Sequence, residues 1–189
     1  MKKSIFVILI LVLSGCDIFS VRPSEEPDDK SKSTYKAFTP EELLANFSDA
    51  INKKNYDIYI NCFDKNLGFY YYPLSQSIIS FPVLSNWNYD KEINYFRNMY
   101  NGKSDVSVTE SKVELQSKFV SRNIDSSIVN CDYELYLIKN NKDTIHASGS
   151  FSLTVRLNSY NNWIIQSWKE INRSTTYSWS DIRGIYSFE

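Results

Sequence analysis

Two stretches decide the fold. Val129-Asn130-Cys131-Asp132-Tyr133-Glu134-Leu135-Tyr136-Leu137 alternates apolar with polar residues. After the turn Asn140-Asn141-Lys142-Asp143, Ile145, Ala147, Gly149, Phe151, Leu153, Val155 and Leu157 alternate with His146, Ser148, Ser150, Ser152, Thr154 and Arg156. A strict period of two places successive side chains on opposite faces of a strand. The pair therefore predicts an antiparallel hairpin with one oily and one solvated face. Gly149 in mid-strand predicts a bend.

Working outward, Val113, Leu115 and Phe119 alternate with Glu114, Gln116 and Lys118 and add a strand before the hairpin. Trp163-Ile164-Ile165-Gln166-Ser167-Trp168-Lys169-Glu170-Ile171 adds one after it. Its parity is irregular, which predicts a bulge. Upstream the period becomes helical. Thr39-Pro40-Glu41-Glu42 reads as a capped helix start, with Leu43, Leu44, Phe47, Ala50 and Ile51 on one face. Tyr56, Tyr59, Ile60 and Phe63 form a second, shorter stripe. Phe69 to Tyr72 reads as a short strand stopped by Pro73, and residues 74–87 as irregular. Asn88 or Asp90 starts a helix carrying Tyr89, Ile93, Phe96 and Tyr100, with Gly102 past its end. Ser178-Trp179-Ser180-Asp181 caps a final short helix. Helices followed by a long antiparallel meander give an α+β domain.

The order of these segments resembles the nuclear transport factor 2-like superfamily, also called SnoaL-like or cystatin-like. The resemblance rests on Pro40-Glu41-Glu42-Leu43-Leu44-Ala45-Asn46-Phe47, on Asn86-Trp87 followed by Tyr95-Phe96, on Trp163 to Trp168, and on Ser178-Trp179-Ser180-Asp181. It covers nearly all of residues 38–186 and looks most like bacterial lipoproteins of unknown function. It implies N-terminal helices packed in the concave face of a bent sheet, a cone, and an apolar cavity between sheet and helix. It carries no catalytic residue onto this chain.

The first forty residues read differently. Lys2-Lys3, the uncharged run Ile5 to Leu13 and Leu13-Ser14-Gly15-Cys16 have the order of a secretory leader ending in a bacterial lipobox. The apolar run is too short to span a bilayer, which takes about 20 residues. Residues 1–15 are thus expected to be a signal peptide. Cys16 is the expected lipidation site, because only a thiol gives the thioether to which the acyl chains are attached. Residues 16–37, which include Arg22-Pro23-Ser24-Glu25-Glu26-Pro27-Asp28-Asp29-Lys30, read as a charged tether holding the domain clear of a membrane, and residues 38–189 as one domain. The expected location is the bacterial envelope, on a membrane outside the cytoplasm.

Composition narrows the function. With 21 basic and 22 acidic residues the formal charge is −1, and losing Lys2 and Lys3 with the leader makes it more negative. No field of that kind holds nucleic acid. A single histidine excludes sites built on several imidazoles, and no CxxC, HExxH, Gly-rich phosphate loop or GxSxG occurs. No cofactor and no metal is expected. The 15% aromatic content is the unusual number.

Three readings stand. In a non-catalytic binding module, Tyr72, Trp87, Tyr133, Phe151, Trp163 and Trp168 would line an aromatic pocket for an apolar ligand or simply fill the core. In a small isomerase or dehydratase, a carboxylate in an apolar pocket would act as base. Glu170 is the one candidate, turned inward if the last strand bulges and otherwise solvated or ion-paired. His146, Asp132 and Glu134 fall on the polar face. In an envelope subunit or adaptor, the polar sheet face would carry a partner, with the protein a monomer or weak dimer. Cys62 and Cys131 are either a disulfide or two buried thiols.

Overall fold

The computed structural model describes residues 35–102 and 107–188. The leader, Cys16 and all but the end of the tether lie outside the described residues. Ala37 already belongs to the compact unit: it is buried, its N–H donates to Asn162 Oδ1 at 2.6 Å and its carbonyl accepts from Trp163 N–H at 2.9 Å. The folded part therefore begins slightly before residue 38.

The elements are α1 (Pro40–Asn52), α2 (Tyr56–Asn61), β1 (Tyr70–Tyr72), α3 (Ser75–Ser80), a 3₁₀ turn (Pro82–Asn86), α4 (Tyr89–Asn101), β2 (Val108–Arg122), β3 (Ser126–Lys139), β4 (Thr144–Leu157), β5 (Trp163–Arg173) and α5 (Trp179–Ile185). The predicted caps form. Thr39 Oγ1 accepts Glu42 N–H at 3.1 Å, Asn88 Oδ1 accepts Lys91 N–H at 3.0 Å, and Ser178 with Asp181 completes a capping box. Residues 74–87 are more regular than expected. They make α3 and the 3₁₀ turn, short pieces whose starts lack a side-chain cap.

The five strands lie in the order β1-β5-β4-β3-β2, with β1 parallel to β5 and the others antiparallel. Cys131 faces Phe151 and Leu135 faces Ala147, so the two runs that set the period pair as read. Val129, Cys131, Tyr133, Leu135, Phe151, Leu153 and Val155 are all buried and join Phe47, Ile51 and Tyr59 of the helices in one core.

β5 slips twice against β4. Val155 pairs with Ile165 but Thr154 with Ser167; Phe151 pairs with Glu170 but Ser150 with Asn172. Each slip inserts one residue and reverses the parity that follows. Trp163 and Ile165 face inward before the first slip, Trp168 and Glu170 after it. Gly149 stands beside the second slip. A Cβ there would meet the Asn172 carbonyl at 2.2 Å, so glycine lets the two backbones close.

Cys62 and Cys131 are separate free thiols, both buried, and the disulfide is not formed. Burial pushes the Cys131 thiol up to about 12, with Asp132 adding to the shift, and pushes Cys62 up as well. Both behave as small apolar residues.

Candidate functional site

Glu170 is turned inward, with Trp168, by the first slip of β5, and it is 4% exposed. It is neither solvated nor paired with a neighbouring cation; hydroxyls and backbone amides meet it instead. Oε1 accepts the Tyr133 hydroxyl at 2.6 Å and the Trp179 N–H at 2.9 Å. Oε2 accepts the Ser180 N–H at 2.7 Å, the Ser180 hydroxyl at 2.5 Å and the Tyr71 hydroxyl at 3.0 Å. The two amides open α5, so β5 fixes the start of the last helix through one side chain. An ionised carboxylate has about four lone-pair positions, and these donors occupy them. Burial, and then the charge of Glu170, push the Tyr133 and Tyr71 phenols well above their ordinary value and keep them neutral donors.

A second buried group was not singled out from the sequence. Glu92 of α4 and Arg183 of α5 form an ion pair with both side chains at 0% exposure. Arg183 donates from Nη2 at 2.7 Å and from Nε at 2.8 Å, a bidentate pairing. Glu92 also accepts the Tyr59 hydroxyl and Trp87 Nε1, each at 2.6 Å. The guanidinium lies 4.2 Å from the ring centres of Tyr71 and Trp168. Burial works against its charge, but Glu92, then Tyr71, outweigh that and hold its pKa well above the ordinary arginine value. Among the described residues, Arg183 Nη1 and Trp168 Nε1 are buried donors without an acceptor. Both carboxylates thus converge on one seven-residue helix.

Trp179 fills the space between them. Its ring centre lies 4.9 Å from Trp168, 5.1 Å from Tyr133, 5.7 Å from Phe47 and 5.8 Å from Phe151, and its Nε1 donates to Tyr95 at 3.1 Å. Of the predicted pocket residues, Tyr133, Phe151 and Trp168 meet here, with Phe151 and Trp168 centred 4.1 Å apart. Trp87 touches the cluster through Tyr71 and Tyr95. Trp163 is buried at the start of β5, away from it, and Tyr72 is 54% exposed on the far side of its strand.

Hollows open at the surface. One of about 250 Å³ lies on the outer sheet face among Glu114, Gln116, Asp132, Glu134 and Asn172. Another of about 270 Å³ lies between α4 and the C-terminus, lined by Val83, Lys91, Asn94 and Phe188. His146 stands on the outer face as expected, stacked on Tyr136 and bonded to Glu134. No three His, Cys, Asp or Glu among the described residues are placed to hold a metal ion. No helix among them is long and apolar enough to cross a membrane.

The sequence matches no family model and no curated protein. Solved structures are similar in fold. A nuclear transport factor 2-like superfamily protein from Salmonella enterica is 13% identical with TM-score 0.51, covering 72% of this chain and 89% of that one. A protein of unknown function from Mycobacterium tuberculosis is 10% identical with TM-score 0.52, covering 78% and 83%. A candidate scytalone dehydratase from Novosphingobium aromaticivorans is 8% identical with TM-score 0.53, covering 71% and 81%. At such identities the likeness is one of fold. The chain has the nuclear transport factor 2-like fold.

Proposed function

We propose that this is a lipid-anchored envelope protein whose domain acts as a non-catalytic module, binding a protein partner at its surface. The anchoring half rests on the leader and Cys16. The non-catalytic half rests on one observation: the inward carboxylate, Glu170, has its oxygens occupied by Tyr71, Tyr133, Trp179 and Ser180. A general base needs a free lone pair within reach of a substrate proton. Glu170 offers none, and the Trp179 amide is one of the donors that fill it. Surface binding rather than an internal ligand follows from the same packing, since aromatic rings fill the inside of the cone.

Two measurements test the reading. Mass spectrometry of the mature protein should find an acylated N-terminus at Cys16, absent in Cys16→Ser; an unmodified Cys16 removes the anchor. Photo-crosslinkers at Asn130 or Lys169, on the outer sheet face, should trap a discrete protein adduct in cells. A small molecule retained through purification, with no adduct, would instead favour the ligand reading.

The enzyme reading has one observation in its favour: Glu170 does face inward among aromatics, and the candidate scytalone dehydratase shares the fold. It requires α5 to move off Glu170 during turnover.

A further inference from the structure

Four segments meet at one end of the sheet. The chain enters there: Ala37 is bonded to Asn162 and Trp163, at the β4–β5 turn. The β2–β3 turn abuts the same end, since Leu157 N–H donates to the Asp125 carbonyl at 2.8 Å. Arg122 and Glu41, paired at 2.6 Å, tie that turn to the first turn of α1. The α2–β1 loop joins through Asp64, which accepts Asn158 Nδ2 at 3.0 Å.

The tips that these contacts gather are apolar. Ile124 is 96% exposed at the β2–β3 turn, Tyr160 73% at the β4–β5 turn, and Phe38 66% beside the chain entry. Leu67, held by Asp64, is also exposed. The opposite end of the sheet carries the turn Asn140-Asn141-Lys142-Asp143, which is wholly polar and exposed. Apolar side chains at loop tips cannot serve the core, and here they gather at the end where residue 35 enters.

We infer that this end is a membrane-docking rim, with Ile124, Tyr160 and Phe38 entering the lipid interface beneath the domain. The inference rests on the anchoring reading above. The occupant follows from where the chain leads: about nineteen residues separate Cys16 from Tyr35, so the lipid holds this end within about 65 Å of the bilayer. Within that radius the rim meets lipid at a high effective concentration, and weak contacts suffice. Tyrosine suits the headgroup level and isoleucine the acyl boundary. Arg122 is paired with Glu41 and the exposed Asp125 stands beside Ile124, so the rim carries no excess of positive charge and needs no anionic lipid. The tether then lets the domain lie down instead of holding it clear.

The test couples the mature chain through Cys16 to a maleimide lipid in phosphatidylcholine vesicles, which supplies an anchor whether or not cells acylate Cys16. Amide hydrogen exchange is compared with the same chain, Cys16 capped, free in solution. Exchange should slow at least about threefold at residues 122–126 and 158–162 and stay unchanged at 140–143. The exposed pair Ile124→Asp with Tyr160→Asp should abolish the slowing, and Ile79→Asp, exposed on α3, should not. Unchanged exchange at both rim turns overturns the proposal. Equal slowing at both ends of the sheet, or slowing in solution at high protein concentration without vesicles, overturns it too. Failed acylation in cells sinks the anchoring reading alone.

Discussion

Two pairs of carboxylates sit back to back across the same sheet. Inside, Glu170 and Glu92 are buried and saturated, by hydroxyls and amides in one case and by a bidentate arginine in the other. Outside, Glu114 and Glu134 stand opposite each other on β2 and β3, a like-charge pair relieved by Lys112 and His146. The residue type is the same; the consequence of removing it is not. A buried carboxylate leaves its donors stranded away from water, whereas an exposed one hands its partner back to solvent. The inner acids thus fasten α5, which carries Trp179 into the core.

The largest effect should come from Glu92→Leu, which leaves Arg183 buried and unpaired at a cost of about 3 to 5 kcal/mol in urea unfolding. Adding Arg183→Met should recover part of that loss, because an apolar pair can replace a buried ion pair while the Tyr59 hydroxyl and Trp87 Nε1 stay without their acceptor. If the double variant is as unstable as the single one, the two charges do not act as a unit.

Glu170→Gln should cost about 1 to 3 kcal/mol, since its amide group turns donors toward donors. The loss should accompany weakened docking of α5, read as loss of near-ultraviolet dichroism from Trp179. An unchanged stability would contradict the structural role and return Glu170 to the catalytic candidates.

Alkali sharpens the contrast next. Burial raises Tyr95 and Tyr186 from the ordinary 10 to about 12, and raises Tyr71 and Tyr133 as well. Raised folded values mean that the neutral phenols stabilise the fold fully below pH 10. That contribution is lost as pH rises from 10 through about 12. Unfolding free energy should be level from pH 7 to 9 and fall steeply above 10. A level profile to pH 12 would mean that the phenols are not shut in.

The smallest effect belongs outside. His146→Ala should change stability by less than about 1 kcal/mol, because the pair with Glu134 is well exposed. A loss as large as that of Glu92→Leu would erase the distinction between the two faces.

The strands were legible because a period of two persists over β3 and β4 and one face is wholly apolar. Helix starts were legible where a side chain caps them, at Thr39, Asn88 and Ser178, and illegible at α3, whose cap position is Leu74. Glu170 could be picked out because broken parity in β5 predicted a bulge. Its partners could not, since α5 lies far from Tyr71 and Tyr133 in sequence. Glu92 was hidden because the stripe Tyr89, Ile93, Phe96 and Tyr100 catches only part of the buried face, which carries Glu92, Ile93, Tyr95, Phe96 and Met99. Arg183 lies on seven residues, too few for any period to mark its face.

Native-state hydrogen exchange at the Trp179 and Ser180 amides, the two that donate to Glu170, tests the closed interior most directly. Both should exchange only with the free energy of global unfolding, because α5 leaves the cone only when the domain unfolds. Exchange several kcal/mol easier than global unfolding would mean that α5 opens on its own, and the cone would then have a site to offer.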